Sequence, residues 1–205
     1  MFYEPDKGHG LPHDPFKAIV APRPIGWIST RSASGVANLA PYSFFNAVSS
    51  RPPLVMFSSD GEKDSLRNIR QSGEFACNFV TFDLFGAMNA SSADVPGDVS
   101  EFGFANLQEG QCQAIAAPCV AAAAAVLECK LTEITSPKAL NGAISRSVLV
   151  FGQVIGVRID PAMLNDGLFD VTARGGVVSR LGYMDYAVTR EVFSARRPDW
   201  QPAKF

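Results

Sequence analysis

The sequence predicts a mainly β fold with a few short helices. Short segments dense in β-branched and aromatic residues alternate with turn signals, which is the pattern of strands in a β-rich domain. Prolines fall at or between these segments, where a missing backbone N–H disturbs a sheet least. The predicted strands are Ile25–Arg31, Val36–Ala40, Phe44–Ser49, Leu54–Ser59, Phe75–Thr81, Val120–Leu131, Ser147–Ile159 and Val177–Tyr186.

Two segments have the features of helices. Asp64–Gln71 opens with residues that commonly cap helices, places Leu66 and Ile69 on one face, and stops before Gly73. Phe82–Ser91 carries apolar residues at helical spacing. We therefore expect one short helix in each of these segments.

A run of alanines, Ala121–Ala125, is ambiguous on the residues alone. Alanine is the best helix former, whereas the flanking Val120 and Val126 favour an extended segment. Local propensity leaves helix and strand equally open here.

One domain is expected to occupy the whole chain. The 205 residues are 47% hydrophobic and only 19% charged, so a sizeable core is possible and global disorder is excluded. No repeat or low-complexity linker divides the sequence. We predict a single domain over residues 1–205, with an N-terminal arm over residues 1–16 and a C-terminal tail over residues 187–205.

Charge, termini and cysteines predict a soluble cytoplasmic protein. The formal net charge of −2 creates no overall field that would attract nucleic acid or an anionic membrane. The sequence starts without the features of a signal peptide, and no apolar run approaches the roughly 20 residues that span a bilayer. The cysteine spacings match no zinc, redox or haem motif, so we expect reduced core thiols at Cys77, Cys112, Cys119 and Cys129.

The histidines restrict the chemistry that the fold can perform. His9 and His13 both lie in the arm, which excludes a His-based nucleophile triad or a multi-His metal site in the body of one chain. We expect no metal. Walker A, G-x-S-x-G and G-x-G-x-x-G sequences are also absent. An enzyme with this sequence would take its chemistry from a bound organic cofactor.

Hydroxyl side chains close several apolar strands between residues 23 and 69: Ser29, Thr30, Ser43, Ser58 and Ser59. Hydroxyls at strand ends supply adaptable hydrogen bonds to a polar ligand. Serine and threonine in these places are also ordinary turn residues, so this pattern alone does not establish a site.

The strand that ends at Ser58 and Ser59 leads through Lys63 into the predicted helix, which starts at Asp64 and Ser65. A helix N-terminus with free N–H groups, a neighbouring lysine and a hydroxyl forms a natural phosphate-binding site. The alternative is that Asp64 or Ser65 merely caps the helix and that Lys63 is a solvated surface lysine.

Several blocks then follow one another in a characteristic order. They read PIGWIST (24–30), NLAPYSFF (38–45), PPLV (52–55), KDSLRNI (63–69), SGEFACN (72–78), LECK (127–130), FGQV (151–154) and RLGYMDY (180–186). The ordered series resembles the flavin reductase-like family, whose domain is a split β-barrel that binds FMN, and it extends from about residue 15 to residue 186. The resemblance also favours a strand for the alanine run, since the family has an extended segment before the Glu-Cys pair.

The resemblance implies a set of FMN-binding residues, assigned position by position. It places residues 29, 30, 38 and 41–44 at the isoalloxazine and ribityl parts, residues 58 and 59 along the ribityl-phosphate side, and residues 63–65 at the phosphate. The set is Ser29, Thr30, Asn38, Pro41, Tyr42, Ser43, Phe44, Ser58, Ser59, Lys63, Asp64, Ser65 and Arg180.

Two residues of this set, Ser65 and Arg180, and one outside it, Tyr183, have alternatives to weigh against the family pattern. The family more often has Thr at Ser65, but the hydroxyl persists. Arg180 is implied near the flavin, with a rim salt bridge as the alternative. The family usually has a second glycine where Tyr183 stands, so a flavin contact by this side chain stays open.

The resemblance further implies hydride transfer from NADH or NADPH to flavin N5, with backbone N–H groups around Tyr42–Phe45 donating to the flavin ring. It implies a homodimer with flavin near the subunit interface and a flavin-dependent monooxygenase as a candidate partner. Two alternatives stand beside this NAD(P)H-dependent flavin reductase. One is a flavoredoxin-like electron carrier with tightly bound FMN, and the other is a split-barrel protein that binds a ligand without turnover.

Overall fold

The computed structural model describes residues 1–200, and strands dominate it, which confirms the predicted mainly β class. The strands are β1 (Arg23–Pro24), β2 (Gly26–Arg31), β3 (Ala37–Tyr42), β4 (Phe45–Ser50), β5 (Pro53–Asp60), β6 (Glu74–Asn78), β7 (Glu109–Gln111), β8 (Pro118–Val120), β9 (Ala125–Thr135), β10 (Ser147–Ile159), β11 (Leu164–Asn165), β12 (Leu168–Phe169), β13 (Val177–Arg180) and β14 (Tyr186–Thr189). The α-helices are α1 (Phe16–Ile19), α2 (Asp64–Ser72), α3 (Phe85–Ala90) and α4 (Glu101–Phe104). Short 3₁₀ turns cover Pro5–Lys7, Phe82–Leu84, Pro161–Met163 and Ala173–Gly175.

The main sheet has seven antiparallel strands in the order β3-β2-β6-β9-β10-β5-β4. Its two edge strands, β3 and β4, are joined by only Ser43 and Phe44. Because the chain advances at most about 3.6 Å per residue, the two edges lie within about 11 Å of each other at this connection. The sheet is therefore curled into a half-barrel whose edges approach each other at residues 43 and 44.

Both faces of the curled sheet are covered, as the alternation of side chains along β2 shows. Trp27 belongs to a cluster with Val80, Met88 and Phe102, whereas its neighbour Ile28 belongs to a second cluster with residues of β5, α2 and β6. Successive residues of a strand point to opposite faces. The side chains of a central strand are thus buried on both sides, whether apolar or polar.

Helix α2 packs against one face of the sheet and closes the half-barrel. Its Leu66 and Ile69 are completely buried, as their predicted shared face requires, and the helix ends at Gly73 in the left-handed conformation with φ 69°. The N-cap residue is Lys63, and no side chain caps the helix. The expectation that Asp64 or Ser65 caps it is wrong, and the first N–H groups stay free of a side-chain acceptor.

The alanine run is a turn and not a strand, so the predicted strand Val120–Leu131 divides into β8 and β9 with residues 121–124 between them. The Ala123 N–H donates to the Val120 carbonyl to close the turn. Arg158 of β10 donates to the carbonyls of Val120, Ala121 and Ala123 at 3.0–3.4 Å. A side chain distant in sequence therefore satisfies the backbone acceptors that a helix or a strand would otherwise bond.

The last predicted strand, Val177–Tyr186, is also two strands. β13 and β14 form a hairpin around residues 181–185, and β13 pairs with β1. The predicted tail over residues 187–205 consequently begins inside β14, residues 190–200 follow it without regular structure, and residues 201–205 lie outside the described residues. The predicted helix Phe82–Ser91 consists of a 3₁₀ turn followed by α3.

Other predictions concern the arm, the cysteines and membranes. Residues 1–16 are mostly exposed and contain one 3₁₀ turn and the start of α1. The four cysteines are free thiols; Cys77, Cys119 and Cys129 are buried, and Cys112 is half-buried. Within residues 1–200, no helix has the length and apolar character needed to cross a bilayer.

Candidate functional site

A cleft of about 1000 Å³ opens where the two sheet edges meet. The end of β3, the end of β5, the start of α2 and the chain around residues 91–95 form its walls. This volume suits a cofactor-sized ligand. Nine of the residues predicted to bind FMN line the cleft: Asn38, Pro41, Tyr42, Ser43, Phe44, Ser58, Lys63, Asp64 and Ser65.

One end of the cleft is the N-terminus of α2. The first intrahelical hydrogen bond of α2 is donated by the Arg67 N–H to the Lys63 carbonyl at 2.9 Å. The N–H groups of Asp64, Ser65 and Leu66 lie before it and have no acceptor within the helix. With no side-chain cap, these N–H groups and the positive end of the helix dipole are available to an anion.

The charges around this helix start leave one lysine without an acidic partner. Arg67 bonds the Asp64 carboxylate, and the Arg146 Nε lies 3.2 Å from the Asp60 Oδ1. Lys63 forms no ion pair with any residue in the described range 1–200. The Arg67 guanidinium therefore offsets the negative charge of the Asp64 carboxylate at the helix start.

The Ser65 hydroxyl is oriented by Asn38. Its oxygen accepts a hydrogen bond from the Asn38 side-chain nitrogen at 2.9 Å, which leaves the hydroxyl proton free to be donated. Both side chains are buried and border the cleft. Asn38 therefore holds the Ser65 hydroxyl in position at the cleft wall.

Tyr42 lines the cleft, but its hydroxyl is buried. Its side chain is only 8% exposed, its ring packs against Phe57 with centroids 4.6 Å apart, and its hydroxyl forms no hydrogen bond of good geometry within residues 1–200. Burial raises the pKa of Tyr42, while the neighbouring hydroxyls of Ser65 and Ser59 lower it in part. A buried phenol without a partner costs stability unless a ligand supplies one.

Glu101 is a buried acid in the cleft wall that the sequence did not predict. It is 7% exposed, and its Oε2 accepts the Leu39 N–H at 2.9 Å. Burial raises the pKa of Glu101 above its usual range, and the backbone hydrogen bonds it accepts only partly oppose this. Sequence pattern gives no sign of this role, because Glu101 and Leu39 are far apart along the chain.

Glu101→Gln should change how stability depends on pH. A raised pKa means that the folded state holds the proton more tightly than the unfolded state, so wild-type stability falls as pH rises through the folded pKa. Glutamine keeps an acceptor for the Leu39 N–H but cannot ionise. Urea unfolding between about pH 4 and pH 7 should show the variant gaining stability over wild type as pH rises.

The exposed Glu133, which forms no ion pair within residues 1–200, provides the matched control. Glu133→Gln should show a constant difference in stability from wild type over the same pH range. A constant difference between Glu101→Gln and wild type across this range would show that Glu101 does not titrate on unfolding.

Three predicted site residues turn their side chains away from the cleft. The Ser29 hydroxyl donates to the Pro118 carbonyl at 2.6 Å, the Thr30 hydroxyl accepts from Asn68 at 3.0 Å, and the Ser59 hydroxyl donates to the Gly61 carbonyl at 2.8 Å. All three are completely buried. These hydroxyls have protein partners and do not line the cleft, so a contact between them and a ligand stays a prediction.

Arg180 lies outside the cleft, in a smaller adjoining pocket. Its guanidinium donates to the carbonyls of Tyr183 and Met184 and lies 4.3 Å from the centre of the Tyr186 ring. The rim salt bridge weighed as the alternative is absent, because no acid within residues 1–200 pairs with Arg180.

The backbone explains the family's glycine at position 183. Tyr183 has φ 56°, a conformation that glycine adopts most easily, and its ring packs against His13 at the surface. The position therefore forms the tight turn between β13 and β14.

No cluster of potential metal ligands occurs among residues 1–200.

The family model of the flavin reductase like domain matches residues 20–178. The chain belongs to the flavin reductase-like family. An uncharacterized protein of Deinococcus radiodurans is 36% identical over 199 residues, which cover 90% of this chain and 85% of that protein. The family membership expected from the ordered sequence blocks is thereby confirmed.

Solved structures of this family have the same architecture. Nitrilotriacetate monooxygenase component B from Bacillus cereus superposes with a TM-score of 0.85 at 27% identity, over 95% of this chain and 98% of that one. A putative flavin reductase with a split barrel domain from Shewanella frigidimarina has a TM-score of 0.76 at 25% identity, with 89% of each chain covered. The predicted split barrel is confirmed.

Proposed function

We propose that the cleft binds FMN. The observation that carries this proposal is the helix start, where the free N–H groups of Asp64 and Ser65 lie beside Lys63, a cation without an acidic partner within residues 1–200. A phosphate supplies the negative charge and the acceptors that this arrangement lacks. The free Ser65 proton fits a ligand with further acceptors next to the phosphate.

The other end of the cleft suits a flat, weakly charged ring system. Pro41 and Phe44 form its wall, and within residues 1–200 the N–H groups of Ser43 and Phe44 donate to no protein acceptor. These N–H groups can donate to ring carbonyl oxygens as negative charge develops on them. FMN supplies hydride and electron transfer when it is bound, while this chain orients the ring and its hydrogen-bond partners.

We propose that the activity is NAD(P)H-dependent flavin reduction. The family and the likeness to a monooxygenase component B support a reductase that works with a flavin-dependent monooxygenase. Sites of this kind also serve electron carriers, so a flavoredoxin-like carrier with tightly bound FMN is the second candidate.

Two measurements test this proposal. Incubation with FMN followed by gel filtration should yield yellow protein; protein that remains colourless would contradict FMN binding. Rapid oxidation of NADH or NADPH with excess free FMN supports a reductase, whereas reducible bound flavin without nicotinamide turnover would establish the carrier instead.

We further propose a cytoplasmic homodimer with FMN near the subunit interface. Edge strand β4 and the connection before it expose apolar side chains, among them Phe44 and Val48, next to the cleft. Exposed apolar surface of this kind is typical of protein interfaces. Light scattering at micromolar concentration should give twice the chain mass of 22.0 kDa; a monomer would contradict a shared site.

A further inference from the structure

A second pocket of about 570 Å³ adjoins the cleft. It shares Pro41, Ser43 and Ser92 with the cleft, so the two cavities meet at the connection between the sheet edges. Its remaining lining is apolar or aromatic apart from Asn89 and Arg180. A molecule bound here would lie beside the end of the cleft that suits a flat ring.

Arg180, which lines the pocket, has a second arginine beside it. Arg180 in β13 stands opposite Arg23 in β1 in the register of the two strands. Arg23 is 6% exposed and donates to the carbonyls of Lys17, Val20 and Leu181, and its Nε has no partner within residues 1–200. Burial and the positive charge of Arg180 lower the pKa of Arg23.

Neither guanidinium forms an ion pair with a carboxylate within residues 1–200. Their protein partners are carbonyl oxygens, which orient the groups but carry no net charge. Two adjacent positive charges, one of them buried, are thus left without a counter-charge. An anion in the pocket would offset this excess.

The pocket walls determine the shape of that anion. The rings of Phe85 and Tyr186 pack edge to face with centroids 4.9 Å apart, and Met88 and Met184 add thioether surface. Aromatic and thioether groups favour contact with a flat apolar ring. Arginine is suited to a carboxylate, because its planar fork can donate two parallel hydrogen bonds.

We propose that this pocket binds a planar aromatic monocarboxylate, with the carboxylate on Arg180 and the ring against Tyr186 and Phe85. The binding itself depends only on the residues of the pocket. Its role as the second substrate, lying next to the flavin ring, rests on the proposed function.

The test uses 4-fluorobenzoate and its uncharged analogue 4-fluorobenzamide, observed by ¹⁹F NMR with the full chain. 4-Fluorobenzoate should bind wild type more tightly than 4-fluorobenzamide does. Arg180→Gln should weaken the binding of 4-fluorobenzoate by roughly tenfold or more, the usual effect of losing a charged hydrogen-bond partner. The same variant should bind 4-fluorobenzamide with unchanged affinity. Unchanged 4-fluorobenzamide binding also demonstrates that the variant pocket is intact.

Arg190→Gln is the matched control. It removes the same charge from the same part of the chain, but Arg190 lies over Phe82 and does not line the pocket. It should leave the binding of both probes unchanged. Should Arg180→Gln misfold, Arg180→Lys, which keeps the charge, should bind 4-fluorobenzoate more tightly than 4-fluorobenzamide.

Equal affinity of wild type for the two probes, or equal loss of 4-fluorobenzoate in the Arg180 and Arg190 variants, would overturn the proposal. Repeating the titration with FMN-loaded protein separates the two proposals. A ¹⁹F shift that differs between FMN-loaded and FMN-free protein supports the neighbouring ring site. Failure to take up FMN contradicts the proposed function alone, since the probes are measured on the FMN-free chain.

Discussion

Lys63→Gln is expected to weaken FMN binding by about ten- to a hundredfold, because hydrogen bonds to charged groups contribute about 1.5–3 kcal/mol. Lys63 precedes α2 and lines the cleft, and no acid pairs with it within residues 1–200. The N–H groups of α2 remain in the variant, so binding should be weakened and not abolished. Quenching of FMN fluorescence during titration measures the dissociation constant directly.

Riboflavin, which lacks the phosphate, separates a phosphate contact from a general loss of fold. Its affinity should be the same for wild type and Lys63→Gln. Lys138→Gln, at an exposed position that does not line the cleft, removes the same charge and should affect neither ligand. An equal loss of FMN and riboflavin affinity would place the phosphate elsewhere.

Gly176→Ala should destabilise the fold by about 3 kcal/mol or more, since backbone strain and overpacking each cost about 1–3 kcal/mol. Gly176 precedes β13 with φ 94° and ψ 156°, a conformation that is open essentially only to glycine. An added Cβ would lie 2.2 Å from the Thr189 carbonyl oxygen, a backbone atom at the end of β14. The β13–β14 hairpin would have to separate to admit it.

The matched control is Gly35→Ala. Gly35 has φ 88° but no heavy atom within 4 Å of the added Cβ, so the variant measures the cost of the backbone conformation alone, about 1 kcal/mol. Urea unfolding should rank wild type, Gly35→Ala and Gly176→Ala in decreasing stability. Equal losses in the two variants would mean that the hairpin moves aside for the Cβ.

The seven strands of the main sheet could be predicted from the sequence because they carry local signals. Their β-branched and aromatic composition and their bounding prolines are visible in short windows. The alanine run could not be resolved locally, since Arg158 from another strand satisfies the carbonyls of its turn. The hairpin within the predicted strand 177–186 was missed because its tight turn places Tyr183, and not a glycine, at positive φ.

The candidate site was predictable in its chemistry but only partly in its geometry. The sequence indicates where hydroxyls cluster, whereas strand register decides which of two neighbours reaches the cleft: Ser58 lines it and Ser59 is turned inward. The helix start was predicted because a helix N-terminus has the same unpaired N–H groups in any fold. Glu101 was not predictable, because only the folded chain brings it against Leu39.

The short connection between the edge strands restricts how such proteins can vary. Ser43 and Phe44 are the whole connection between the edge strands, and the spacing of the half-barrel edges and the cleft depends on the length of this connection. An inserted residue would therefore change both. Ligand preference can change here by substitution but not by insertion. Another part of the cleft wall, formed by residues 92–95, belongs to no strand or helix and is mostly exposed. Surface segments of that kind tolerate extra residues at small entropic cost. Diversity in length among relatives should therefore accumulate on that wall, while the wall formed by residues 43 and 44 keeps its length.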